Sequence, residues 1–227
     1  MKIWNPTRLL GVAVAAAALC ALPAQADVIS FEGTATAGLY FPGESFNAGA
    51  FVLTTLQDFG IVDFAAALGT QAPAGNATQF YFASNDGRLR VASASGLGFD
   101  LTGFDMAFVP LDPPSLQTTL LMARGTRQDN STVQAAFLFP GNSSAGYSFA
   151  SHGLTSASGF TNLRQVEFFA CSLVGGVMCS QPTANNGQFA IDNISVSVVP
   201  EPGAALLLAL GLAGLVLRTR GSRRAAA

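Results

Sequence analysis

Between residues 27 and 199 the chain reads as short runs separated by Gly, Asn, Pro and Ser, several of which alternate apolar and polar residues. The clearest run is Phe189, Ile191, Ile194, Val196 and Val198, with one change of phase at Asp192-Asn193. Successive side chains of a strand point to opposite faces, so this spacing suits a strand buried on one side and wet on the other. The same reading places strands at residues 28–33, 48–55, 79–83, 89–94, 98–108, 117–124, 132–139, 146–150, 163–170 and 188–198. A helical period of 3.6 holds only at 58–68, which reads as a short helix. Many short strands at regular intervals favour an all-β fold, an antiparallel β-sandwich of jelly-roll type. No internal repeat of useful length is visible.

Composition needs dividing before it informs. The 227 residues have a mean hydropathy of +0.41 and are 50% hydrophobic, values that taken as an average suggest a membrane protein. The excess sits at the two ends, residues 1–26 and 200–227, whereas all 18 Phe and all three Tyr lie between them. With no long apolar run in the middle, a polytopic membrane protein is excluded. The middle carries five Arg against twelve acids, a net charge of −7, and the one lysine is Lys2. Such a domain has little with which to neutralise phosphates, so nucleic acid is not an expected partner.

Each end reads as an address. Lys2 and Arg8 precede an apolar run at 9–22, and Ala24-Gln25-Ala26 places small residues at the −3 and −1 positions of a cleavage site. That is the layout of a secretory signal peptide (residues 1–26), handled by the Sec translocon and signal peptidase, with Asp27 as the mature N-terminus. Leu19 stands where a lipidated cysteine needs a small residue before it, so Cys20 leaves with the signal. At the other end, residues 203–217 are apolar and uncharged, about 22 Å as a helix at ~1.5 Å per residue. This is short for a membrane span, but snorkelling of Arg218 and local thinning close the gap. Arg218, Arg220, Arg223 and Arg224 follow and keep the tail cytoplasmic. Both ends therefore place residues 27–199 outside, tethered by one C-terminal transmembrane helix before processing.

Pro200-Glu201-Pro202 stands at the outer edge of that helix. Its prolines fix φ and remove two backbone donors, which makes the tripeptide a stiff, extended segment with one carboxylate at its centre. This order of Pro-Glu-Pro, short apolar helix and terminal Arg cluster resembles the PEP-CTERM sorting signal of Gram-negative bacteria, over residues 200–227. The resemblance implies processing by exosortase, a membrane-embedded transpeptidase-like enzyme, and association with exopolysaccharide and the biofilm matrix. The alternative is an ordinary C-terminal anchor behind a Pro-rich linker.

The middle resembles, more loosely, the β-sandwich ectodomains of PEP-CTERM proteins, through Ile29-Ser30-Phe31-Glu32-Gly33, residues 98–105 and residues 189–196. Carbohydrate-binding jelly rolls pair first and last strands and hold a structural calcium ion with acids from both. The resemblance makes Glu32 and Asp192 candidate ligands; the alternative is solvated or turn-capping acids. Cys171 and Cys179, an even pair in an exported chain, read as a disulfide across seven intervening residues.

Catalytic signals are weak. His152 lies among Ser151, Thr155, Ser156 and Ser158 in what reads as a polar surface loop, with no G-x-S-x-G motif to supply a nucleophile. Asp100 and Asp105 read as flanking a turn at Thr102-Gly103 rather than as a glycosidase pair. There is no phosphate loop and no His or Cys metal motif. The expectation is a non-enzymatic structural matrix component, with a lectin-like carbohydrate-binding module as the alternative. Sugar sites favour exposed aromatic rings, and because Trp4 is in the signal, Tyr40 in Tyr40-Phe41-Pro42-Gly43 is the candidate ligand platform.

Overall fold

Two long strands set the architecture. In the computed structural model, which describes residues 25–33, 38–69, 72–109, 119–140, 147–174, 178–180 and 187–198, β4 (Phe51–Asp63) and β5 (Phe80–Ser93) pair antiparallel along almost their whole length. The ladder shifts register around Gln57, and nearby Asp58, Asn85 and Asp86 take positive φ of 50°, 51° and 65°. Asn and Asp tolerate that region better than other side chains, and bulges bend the strands that carry them. Beyond the bend the two halves of β5 meet different neighbours. Residues 81–83 pair with β12 (Phe189–Val198), and residues 88–92 pair with β10 (Leu163–Val174).

One ribbon thus serves two sheets. The first runs β3 (Ser45–Ala48), β4, β5, β10, β7 (Thr119–Arg127), β8 (Thr132–Leu138). The second runs β2 (Gly38–Tyr40), β4, β5, β12, β6 (Phe99–Phe108), β9 (Ala150–Gly153). β1 (Gln25–Ile29) joins β12, and β11 (Met178–Ser180) folds back on β10. Every pairing with a described register is antiparallel, and the fold is an all-β sandwich. Ala26–Val199 forms one compact unit.

The core lies between the sheets and is largely aromatic. Phe51 meets Phe99 edge-on at 5.3 Å between centroids, and Phe104 meets Phe168 at 5.2 Å. All four are buried, each worth about 1.5–3 kcal/mol against leaving it in water. Gly60 is required by close approach: a Cβ there would run into the Tyr81 ring. That ring is fully buried, and its hydroxyl shares a 3.0 Å hydrogen bond with Thr55 Oγ1. Burial holds the Tyr81 phenol well above the ordinary tyrosine range.

The alternation in β12 survives in three dimensions. Phe189, Ile191, Ile194 and Val196 all enter the core, and the phase change is a bulge with Asn193 at φ 47°. Other expectations need correcting. Residues 79–83 and 89–94 are one strand, because Asn85-Asp86-Gly87 forms a bulge rather than a turn. Residues 58–63 continue β4, and only α1 (Ala65–Leu68) is helical. Thr102-Gly103 is no turn either: Asp100 and Asp105 both lie within β6. The signal helix and the apolar segment 203–217 lie outside the described residues. Among the described residues no helix is long and apolar enough to cross a membrane.

Candidate functional site

The bulge in β12 builds a polar node on the outer side of the second sheet. Register passes from Asp192↔Asp105 to Ser195↔Gly103, leaving an extra residue on β12. Asp192, 1% exposed, accepts hydrogen bonds at Oδ2 from Asn76 Nδ2 (2.7 Å) and Thr78 Oγ1 (3.3 Å), and at Oδ1 from the Asn193 amide (2.7 Å). Asp105, directly opposite, accepts from Ser151 Oγ and from Asn193 Nδ2 at 2.8 Å. Burial raises the Asp192 carboxyl above its ordinary pKa. The three donors oppose that rise, and the neighbouring Asp105 charge adds to it.

Glu32 is tied to the same segment, accepting the Gln79 amide. Residues 76–79 therefore contact both carboxylates singled out as calcium ligands. What surrounds those carboxylates, however, is N–H and O–H donors, whereas calcium takes six to eight oxygen ligands. Among the described residues no three His, Cys, Asp or Glu side chains gather as a metal site. The donor set does not suit a structural calcium ion. It does suit a clasp: the node fastens the segment before β5 to the back of the sheet.

That segment is part of a cover. Phe80, Phe82, Ala107, Val109 and Ala190 form an apolar patch on the same outer face, and Ile61, Ala65, Leu68 and Phe149 pack on it. Ala74 bridges to Ser148, with backbone hydrogen bonds from Ala74 to Tyr147 and from Phe149 back to Ala74.

The residues proposed for chemistry do not converge. His152 lies on the edge strand β9 rather than in a surface loop. Its ring stacks on Phe104 and meets Phe137 edge-on, and its Nε2 is buried without a hydrogen-bond partner among the described residues. Burial lowers its pKa, against the pull of Asp105. Ser151, the next residue along the strand, bonds Asp105 instead, so serine and imidazole serve different sides of β9. Asp100 accepts the Asn162 amide at 2.7 Å.

Tyr40 is half-buried, its ring 4.5 Å from that of Phe46 and packed against the core. The more open ring of that turn is Phe41, 54% exposed. A cleft of about 440 Å³ is lined by Asp27, Val28, Ser30, Glu32, Asn47 and Gly49. Cys171 is disulfide-bonded, and the backbone register sets Cys179 opposite Leu173. Ala24, the sorting motif Pro200, Glu201 and Pro202, and the tail arginines lie outside the described residues, whereas Ala26 is exposed on β1.

Asn76 and Thr78 escaped sequence reasoning, and Ser151 entered it only as a neighbour of His152. A local signal existed for the first two. In Asn76-Ala77-Thr78, Asn76 Oδ1 accepts from the Thr78 amide at 2.8 Å, a side-chain turn that Asn-x-Thr favours.

Residues 198–224 match the family model described as the PEP-CTERM protein-sorting motif. Among solved structures, the chain is similar to a family 29 carbohydrate binding module complexed with mannohexaose, at 11% identity and a TM-score of 0.37, covering 78% of this chain and 93% of that one. It is also similar to the C-terminal family 22 carbohydrate binding module of Clostridium thermocellum Xyn10B, at 9% identity and a TM-score of 0.35, covering 76% and 92%. No curated protein matches the chain in sequence.

Proposed function

We propose, from the PEP-CTERM sorting motif carried at residues 198–224, that the chain is an exported protein sorted by exosortase to the cell surface or extracellular matrix. There it is a structural component of the exopolysaccharide or biofilm matrix, without catalytic activity. The motif is the observation that carries this reading. Supporting it, His152 packs on Phe104, Ser151 bonds Asp105 and Asp100 accepts the Asn162 amide, and a sandwich closed around an aromatic core suits a durable extracellular module.

In this reading signal peptidase cuts after Ala26. Residues 203–217 then hold the domain at the inner membrane, and exosortase acts near Pro200-Glu201-Pro202. A Cys171–Cys179 bridge fastens β11 to β10 and contributes about 2–3 kcal/mol in the chain-entropy model. The test is a chain lacking residues 200–227, expressed in a host that has exosortase. The deletion is expected to abolish the membrane-bound intermediate and divert the product from its normal location. Unchanged location and unchanged product mass overturn the proposal.

A further inference from the structure

The outer face of the first sheet is apolar and buried at its Met122, Phe169 and Cys171 end and polar beyond it, where its side chains form ordered rows. The registers line up Ser45 on β3, Thr54 on β4, Arg90 on β5, Glu167 on β10, Arg124 on β7 and Gln134 on β8. All six are polar, and at about 4.8 Å per strand the row is ~24 Å long. On one side of it Arg88 and Met122 flank Phe169. On the other, Ala92, Gln165, Thr126 and Thr132 follow in register.

Charge on this face runs against the rest of the domain. Residues 27–199 hold five Arg against twelve acids, yet Arg88, Arg90 and Arg124 stand together here with Glu167 the one acid in the rows. The other two arginines are used locally: Arg127 donates to the Gly159 carbonyl and to Ser131 Oγ, and Arg164 to Asn130 Oδ1. Arg88 and Arg124 instead lie over the Phe169 ring, 4.7 and 5.2 Å from its centroid. Phe169 is only 7% exposed, so it props the guanidiniums and offers no open ring for a sugar to stack on.

We infer that this face binds a carboxylate-bearing polysaccharide laid across the strands, its carboxylates on Arg90, Arg124 and Arg88 and its hydroxyls on Ser45, Gln134 and Gln165. Planar guanidiniums match carboxylates with paired hydrogen bonds. Two of the cations are about 9.6 Å apart in the row, with an acid between them, which suits widely spaced charges on a polymer. A nucleic acid, with a charge every ~1.7 Å of duplex axis, finds too few cations and a repelling Glu167. An acidic peptide would be expected to use an open strand edge for its backbone, whereas this surface is a sheet face. The inference deepens the matrix reading by naming the polymer class and the surface.

The test is retention of the processed exported protein, as recovered from culture, in affinity gels containing polygalacturonate. Fully methyl-esterified polygalacturonate and poly-glutamate serve as the comparison polymers. Retention on polygalacturonate alone is expected. Arg90→Gln with Arg124→Gln should weaken it at least tenfold, and Glu167→Gln should strengthen it severalfold. The strengthening is a readout that a purely structural role would not produce, and unchanged circular dichroism confirms that the variants fold. No retention, equal retention of the double variant, or equal binding of the esterified polymer or of poly-glutamate overturns the inference. Because the assay reads binding alone, its failure leaves the sorting result standing, and failed sorting leaves this result standing.

Discussion

The two outer faces of the sandwich share the β4–β5 ribbon but are finished in opposite ways. The second sheet's face is apolar at Phe80, Phe82 and Ala190, is roofed by α1 and residues 147–149, and is clasped through the buried Asp192. The first sheet's face is a polar row with three arginines and one glutamate, beneath which Phe169, Met122 and Cys171 form only a small apolar cluster. A roof must bury apolar surface to hold, so the second sheet's face stabilises the fold and stays bound by its own chain. The polar row on the first sheet's face contributes little to stability and leaves its donors for something else. Stability and recognition are assigned to opposite sides of one molecule.

That division is open to attack by substitution. The largest effect is expected for Phe80→Ala under the roof, a loss of about 3–5 kcal/mol in denaturant unfolding. Asp192→Ala strands the donors of Asn76, Thr78 and Asn193 and should cost about 2–3 kcal/mol. Tyr81→Phe, in the shared core, removes one buried hydrogen bond and should cost about 1 kcal/mol. On the polar face, Arg90→Gln and Arg124→Gln should each stay within about 0.5 kcal/mol of the parent. A loss of several kcal/mol there, or none at Phe80, breaks the comparison.

Acidity sharpens it further. Because burial raises the Asp192 carboxyl in the folded state, the folded protein holds that proton more tightly than the unfolded chain. Its contribution to stability is complete below the unfolded carboxyl value and is lost as pH rises through the raised folded value. The stability difference between the parent and Asp192→Asn should therefore shrink as pH climbs from about 4 toward neutrality. A difference that grows over that range contradicts the burial argument.

Much of this was legible in the chain, for reasons that differ by region. In β12 the alternation and its phase change translate directly into core positions, because a one-residue slip would turn every apolar side chain outward. In β5 the alternation breaks between 83 and 89 and suggests two strands, but pairing on both flanks absorbs Asn85-Asp86-Gly87 as a bulge. At 58–68 the helical spacing lost to the ladder with β5 as far as Asp63. His152 looked like a surface residue because its neighbours are polar, while its ring packs on Phe104 and Phe137, far away in sequence. The Asp192 node and the arginine row share that invisibility. Each is assembled by strand registers from distant segments, and no local spacing records a register.

If both apolar ends serve to deliver this sandwich outside the cell, the intact mass of the exported protein reports their removal. The expected product begins at Asp27 and ends near Pro200-Glu201-Pro202, without the apolar segment 203–217 or the tail arginines. An exported product that still carries residues 1–26, or that runs through to Ala227, contradicts it.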